Sequence, residues 1–492
     1  MVKKTACLVA LVNSLVACGT ESAPEPIAIA NGQGEIAGEV TANSVILQSR
    51  LTTVAVLVDG DVPGAPGVAR FELATSDDFS DAIESPWLEA TPARDFIVKT
   101  RMDGLNPGAR HYYRLRYGPH ENHTELGPTR SFSTLPGAEG TAAVNFVVVT
   151  GMNYAPFHGD GPRSGSLEDK TQGYPALDAI LARQPAFFVA TGDSVYYDVP
   201  FEDFRRTQPF MRKKWHEQLV QPRFIKLFSE VPTYWQKDDH DYRYNDCDNT
   251  ITTDPEPSPE LGAATFLEQV PVADPADPAP VTYRTHRVSH DLQIWLTEGR
   301  DYRSPNMAPP GPDKTLWGAQ QLAWLQRTLL ESDATFKVLI SPTPMIGPDD
   351  ANQAGRQADG HDPFKRDNHS NPQGFQFERD LFFDWLEENN FLNSNFYIVT
   401  GDRHWQYHSI HPRGFEEFSS GALVDANSRL GRLPGDPDSN DPNALIEQPF
   451  SSAEPTGGFL EVTVTPGDTP MAVFRWFDEQ GALVHRATRM AR

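Results

Sequence analysis

With 492 residues, 67 acidic against 42 basic side chains and a formal charge of −25, the chain is long enough for one large domain beside a smaller one. Its acidic balance, with a pI near 4.9, argues against nucleic acid and anionic lipid as major partners, because phosphate is bound by clustered Lys and Arg that displace counterions. Most of the carboxylates are expected on a solvated face; those gathered with His and Tyr on loops after apolar runs ask for a chemical role.

Residues 1–18, MVKKTACLVALVNSLVAC, place two lysines before a short apolar run that ends in Leu15-Val16-Ala17-Cys18. The run is too short to span a bilayer and reads as a secretory signal. Leu-Val-Ala-Cys resembles a bacterial lipobox, in which the cysteine, here Cys18, is lipidated and becomes the first mature residue; the alternative is a plain thiol beside a cleavage site. The expectation is an exported monomer at the bacterial cell envelope, touching membrane only through a lipid anchor, on a polar tether over residues 19–35. With Cys7 removed and Cys18 lipidated, Cys247 is left alone, so no disulfide can form within the monomer. Cys247 is then a buried bystander, or a soft ligand or redox-sensitive thiol.

Residues 36–136 alternate apolar and polar side chains in short runs, among them EVTANSVILQSRLT, VARFELATSD and HYYRLRYG, at the spacing of a small antiparallel sandwich. LNPGARHYYRL looks like a strand connection of fibronectin type III domains, although His111 stands where a corner tyrosine is expected. No residue here has catalytic spacing. From 137 to 492 the pattern changes to fully apolar strands (VNFVVVT, PAFFVATGD, LQIWLTEGR, TFKVLIS, NFYIVTGDRHW) alternating with amphipathic helices (YPALDAILARQ, GAQQLAWLQRTLLES, FERDLFFDWLEEN). Strands without polar alternation are buried on both faces, which predicts a layered α/β domain with its sheet covered by helices. Residues 254–281, rich in Pro and Asp, read as an insertion or lid with little regular structure.

The chemistry sits where those strands stop, since α/β folds place ligands on loops at the carboxyl ends of strands. TGD ends one strand with Asp193, GDRH ends another with Asp402 and His404, Arg300 follows a third, and YWQKDDHDYRYNDCDN (234–249) packs His240 among five aspartates. Hard cations take oxygen ligands, which Asp193, Tyr196, Asp239 and Asp402 can supply, with His404 as a nitrogen donor. His240, alone in such a pocket, is better placed as a proton donor than as another ligand. Arg300 is a candidate for a bidentate grip on a phosphoryl oxygen, or else pairs with an acid at the surface. KRDNHSNPQGF (365–375), with Asn368 and His369, is a polar loop that can select a substrate.

GDSVYYD, DDHDYRYND and GDRHWQ together resemble the active-site motifs of the PhoD-like alkaline phosphatases, a branch of the metallophosphoesterases. The likeness covers the chain from about residue 36 to the end. It implies a layered β-sandwich flanked by helices behind the small all-β domain. It also implies hydrolysis of phosphate mono- or diesters through a metal-bound hydroxide, with a small phosphate ester as the only partner. Carried over position by position, Asp193 resembles the aspartate that bridges the metals and Tyr196 a phenolate ligand to Fe3+. Asp239 resembles a ligand of the second metal, Asp402 a ligand to Ca2+ and His404 a ligand to iron; His240 resembles the group that assists the leaving oxygen. One departure stands out: the family's first strand is followed by Ser-Cys, with the cysteine on iron, whereas this chain has Thr150-Gly151. A glycine offers no side-chain ligand, which leaves the iron open and admits other metals; Asn153 or Cys247 could stand in. A phospholipase-type diesterase of the same family and a non-catalytic, cation-dependent binding lipoprotein are the other readings.

Overall fold

The computed structural model describes residues 29–200, 207–250, 257–352 and 363–492; the signal, Cys18 and most of the tether lie outside them. Two large sheets form the centre. The first has nine strands, in the spatial order Leu483–Met490, Met471–Asp478, Gly458–Thr465, Val144–Val149, Phe187–Thr191, Thr233–Gln236, Glu35–Gly38, Ser44–Arg50 and Ile97–Asp103. The second has seven, running from Arg284–Arg287 through Leu292–Leu296, Phe336–Ser341, Phe396–Thr400, Glu416–Ser420 and Gln406–Ile410 to Glu447–Ser451.

The sheets face each other across one apolar core built from Phe146, Val148, Phe187 and Val189 on one side and Ile294, Val338, Ile340 and Val399 on the other. Because side chains alternate along a strand, the opposite faces carry Val147, Val149, Phe188 and Ala190, covered by Leu177, Ile180, Trp215 and Leu227 of helices, and Leu339 and Ile398, covered by Leu325, Leu329, Phe382 and Leu386. Burial on both faces is why the strand sequences show no polar alternation, and the outcome is a helix–sheet–sheet–helix sandwich.

The N-terminal part is mostly β, as its alternation predicts. A six-stranded sheet built on Gly67–Ala74 and Arg110–His120 packs Phe71, Leu73, Tyr113 and Leu115 against Val45, Leu47 and Val98. Those last three belong to strands of the nine-stranded sheet, which Glu35–Gly38 joins by pairing in parallel with Thr233–Gln236. One sheet therefore runs through both parts of the chain.

Within residues 254–281, of which 254–256 lie outside the described residues and 270–281 form no helix or strand, one segment departs from expectation. Pro259–Gln269 is an α-helix that buries Phe266. Ser258 Oγ accepts from the Leu261 amide at 3.2 Å and Pro259 occupies the first turn, where a missing N–H costs nothing. The prolines that looked like loop signals include a helix start. The far end is tied down by Lys99, whose Nζ donates to the carbonyls of Leu267, Glu268 and Val270 at 2.7, 3.1 and 2.8 Å.

Candidate metal centre

Strand register brings the motifs together. Thr191 is the partner of Gln236 in the parallel pair, so Asp193 and Asp239 leave the first sheet side by side. In the second sheet Ser341 pairs with Thr400, so Asp402 and His404 emerge from its matching end. The two ends touch: a Cβ on Gly401 would meet Thr191 Oγ1 at 2.4 Å, so glycine is required where the sheets converge. Asp193 and Asp402 both take left-handed backbone, φ +54° and +57°, a conformation that costs about 1–2 kcal/mol in a residue with a Cβ and that turns each carboxylate out of its strand.

Asp193, Tyr196, Asp239, His240 and His404 share one buried pocket. His404 Nε2 lies 3.1 Å from Asp193 Oδ2 and 3.3 Å from Tyr196 Oη. Tyr196 Oη donates to Asp193 Oδ2 at 3.1 Å, and the Tyr196 and His240 rings are 4.2 Å apart. Ligand atoms of Asp193, Asp239 and His240 fall within 4.8 Å of one another, as do those of Asp239, Asp246 and Asp367. Asp239 is common to both groups. Asp402 belongs to neither; Arg403 Nη1 holds its carboxylate at 2.7 Å, while burial and the charges of Asp239 and Asp367 push its pKa up to about 6.

The pocket fits cations. Asp193 Oδ1 and Asp238 Oδ2 are buried with no hydrogen-bond partner, which is costly for a carboxylate left without a counter-charge. Burial, only partly offset by His240, and the neighbouring acids raise the Asp193 pKa well above the carboxylate range. Positive ions would settle that repulsion.

The five aspartates of 234–249 divide the work. Asp239 accepts from the His240 amide at 2.9 Å and the Asp246 amide at 2.6 Å. Asp241 accepts from the Asp238 and Ser194 amides at 2.7 and 3.1 Å, locking the two loops together. Asp248 accepts from the Thr250 and Asn306 amides. Asp238 is spent on Arg300.

That last contact corrects one expectation. All donors of Arg300 are used inside the protein, on Asp238, Asp367 and the Cys247 carbonyl. It is a wholly buried brace rather than a surface ion pair or a grip on substrate. Asn368 and His369 are likewise interior: Asn368 Oδ1 accepts from the amide and hydroxyl of Ser370, and His369 Nε2 sits 2.8 Å from Glu378 Oε2 with its ring against Trp317. A polar loop sequence gave no hint that its side chains turn inward to hold it shut. Cys247 is buried, with its thiol 3.5 Å from the Asp239 carbonyl and its pKa pushed up by burial.

Asp246 and Asp367, which join Asp239 in the second acidic group, went unread in the sequence, as did Asp198 and Asn427. Asp198 Oδ1 lies 2.7 Å from His240 Nδ1, and its Oδ2 accepts from the Asn245 amide at 2.9 Å; the signal was present, as the last residue of GDSVYYD. Asn427 donates to Tyr196 Oη at 2.7 Å and to the Gly151 carbonyl at 3.1 Å. The space at position 151 is also taken. Gly151 has φ +63°, and a Cβ there would lie 2.9 Å from Ala422 Cβ and 3.2 Å from Asn427 Nδ2, so Ala422 first and Asn427 beside it leave no room for a cysteine. The Asn153 amide oxygen is buried and unpartnered nearby.

Residues 146–433 match the model of the PhoD-like phosphatases, and residues 21–136 match that of the PhoD-like phosphatase N-terminal domain. Among solved structures, a PhoD is similar at 20% identity and TM-score 0.71, over 95% of this chain and 90% of that one. A purple acid phosphatase, PPD1, from seeds of yellow lupin (Lupinus luteus) is similar at 11% identity and TM-score 0.59, over 94% of this chain and 74% of that one. Among curated proteins none matches. A family model that spans more than half the chain, on residues that include every loop of the pocket, identifies the protein as a member of the PhoD-like phosphatase family.

Proposed function

We infer that the protein, a metal-dependent phosphoesterase by family, hydrolyses phosphate mono- or diesters as an exported enzyme tethered through Cys18. The observation that carries the reaction is the convergence of Asp193, Tyr196, Asp239, Asp246, Asp367 and His404 in a pocket where carboxylate oxygens lack partners. Asp193, Tyr196 and His404 form a set suited to Fe3+, since phenolate, carboxylate and imidazole favour it; Asp239, Asp246 and Asp367 form an all-oxygen set suited to Ca2+. Cations bound there would neutralise phosphoryl charge and make a water molecule acidic enough to be a nucleophile near neutral pH.

The protein's own groups supply the rest. Asp198 fixes the His240 ring through Nδ1, which leaves Nε2 to hold a proton for the departing oxygen. Arg300 holds Asp238 and Asp367 in place, and with Arg303 it lowers the Asp367 pKa against the effect of burial. Asn427, which donates to the Tyr196 oxygen at 2.7 Å, sets its position.

The iron reading has a direct test. Protein carrying iron should be coloured by charge transfer from tyrosinate, and Tyr196→Phe should bleach it. A colourless wild type that holds zinc, magnesium or manganese and no iron by elemental analysis would reassign the Tyr196 and His404 site to another metal.

A further inference from the structure

Among the described residues, several cations lie in or beside the pocket walls, and they differ in how far they are engaged. Arg300 meets Asp367 at 2.8 Å, Arg303 meets it at 2.6 Å, Arg403 meets Asp402 at 2.7 Å and Asp349 at 3.0 Å, and Lys237 meets Glu298 at 2.6 Å. These four are spent. Lys365 and Arg429 are different. The nearest carboxylates are Asp349 at 3.6 Å from Lys365 Nζ and Asp350 at 3.7 Å from Arg429 Nη1, both beyond hydrogen-bond reach. Among the described residues neither side chain is recorded in a hydrogen bond.

Both stand at the pocket. Lys365, with its side chain only 16% exposed, acts electrostatically on Asp246 and Asp402. The Arg429 amide donates to the His404 carbonyl at 3.0 Å. Its guanidinium lies 4.7 Å from the centre of the Trp405 ring, and its side chain is 42% exposed. Arg429 is thus tied through its backbone to a ligand-type histidine, with its charged head partly exposed. Lys365 faces several carboxylates, Asp349 nearest. Cations on Asp239, Asp246 and Asp367 would neutralise the others and leave the nearly buried ammonium with Asp349 alone, which it shares with Arg403, and with donors open to a further anion.

We propose that Lys365 and Arg429 hold the non-bridging oxygens of the substrate's phosphoryl group, in the role first expected of Arg300, and that they make the enzyme prefer dianionic phosphate monoesters to monoanionic diesters. The preference follows from charge, because the attraction of each cation grows with the charge on the group it meets. The proposal rests on the phosphoesterase reading above.

The test uses the metal-loaded full chain, inorganic phosphate as the probe, and a matched aryl monoester and diester as substrates. Lys365→Gln and Arg429→Gln should each weaken competitive inhibition by phosphate roughly tenfold or more. Each should raise KM for the monoester more than it lowers kcat, and reduce the ratio of monoester to diester kcat/KM, with metal content unchanged. Lys365→Arg should recover part of the phosphate affinity. Arg327→Gln, the same charge change on an exposed side chain paired with Glu331, should leave all of these within about twofold, the scale of a surface ion pair. The assignment is overturned if both Gln variants bind phosphate as the wild type does, if they shed metal, or if the monoester-to-diester ratio stays fixed. A wild type that cleaves neither ester and binds no phosphate would overturn the phosphoesterase reading together with it.

Discussion

At the scale of single residues, Asp239 and His240 are neighbours in sequence with separable roles. Asp239 joins the two acidic groups, whereas His240 is anchored by Asp198 through one nitrogen. Asp239→Ala should lose metal and rate together. His240→Ala should keep most of its metal and slow turnover by roughly 10²–10⁴. Elemental analysis beside steady-state kinetics separates them, and a His240→Ala protein that sheds metal as readily as Asp239→Ala would make the histidine a ligand. That Asp193, Tyr196, Asp239 and His404 meet in one pocket could be anticipated, because each follows an apolar strand within one short motif, whereas Asp246 and Asp367 could not. What Arg300, Asn368 and His369 do could not be, since Arg300 meets an aspartate 67 positions away and His369 a glutamate nine positions away on a helix. A charged or polar letter on a loop says nothing about whether its donors are already taken.

Among the elements, the helix Pro259–Gln269 shows how far composition misleads. The prolines and aspartates around it suggested a loose lid, yet its carboxyl end is fastened by Lys99 of the strand Ile97–Asp103 and by Gln48 of Ser44–Arg50, whose Nε2 donates to the Gln269 carbonyl at 2.6 Å. Lys99→Met keeps the apolar stem and removes three hydrogen bonds to helix-end carbonyls, each an acceptor that the helix cannot satisfy itself. The expected loss is about 2 kcal/mol, concentrated in this helix. Amide hydrogen exchange should quicken across 259–269 while Phe187–Thr191 stays protected; unchanged exchange in the helix would show that Lys99 is not its fastening. The helix Gln208–Leu219 was missed for another reason. Its buried Met211, Trp215 and Leu219 do recur every fourth position, but Arg, Lys and His between them hide the stripe from a reading that looks for apolar density.

Over the whole molecule, the alternation of apolar strands and amphipathic helices was enough to predict layered α/β architecture, because burial on both faces leaves its mark on every strand. Nothing local announced that strands near the N-terminus extend the catalytic sheet, since that pairing joins Gly38 to Thr233 across almost two hundred residues. One buried node ties these parts together. Asp95 accepts from Arg50 at 3.0 Å and Gln269 at 2.8 Å, and lies 2.6 Å from His216 Nε2. Burial alone would raise its pKa, but His216 and Arg50 outweigh that and bring it down to about 2 from an ordinary 3.8. A carboxyl lowered on folding stabilises the native state above its unfolded pKa and loses that contribution as pH falls through the folded one. Stability should therefore drop between about pH 4 and pH 2, by about 2 kcal/mol from this group. Urea unfolding across that range should show a shallower acid limb in Asp95→Asn than in the wild type; parallel limbs would place the acid sensitivity elsewhere.

The central claim is that this pocket gathers cations in order to cleave a phosphate ester. Hydrolysis of activated monoesters, diesters and phospholipids by the purified full chain, before chelation, after it and after reloading with Fe, Ca, Mn or Zn, tests the claim most directly. The account predicts cleavage of an activated phosphate ester that chelator abolishes and metal restores. Inactivity on all three substrate classes after reloading with every metal would contradict it.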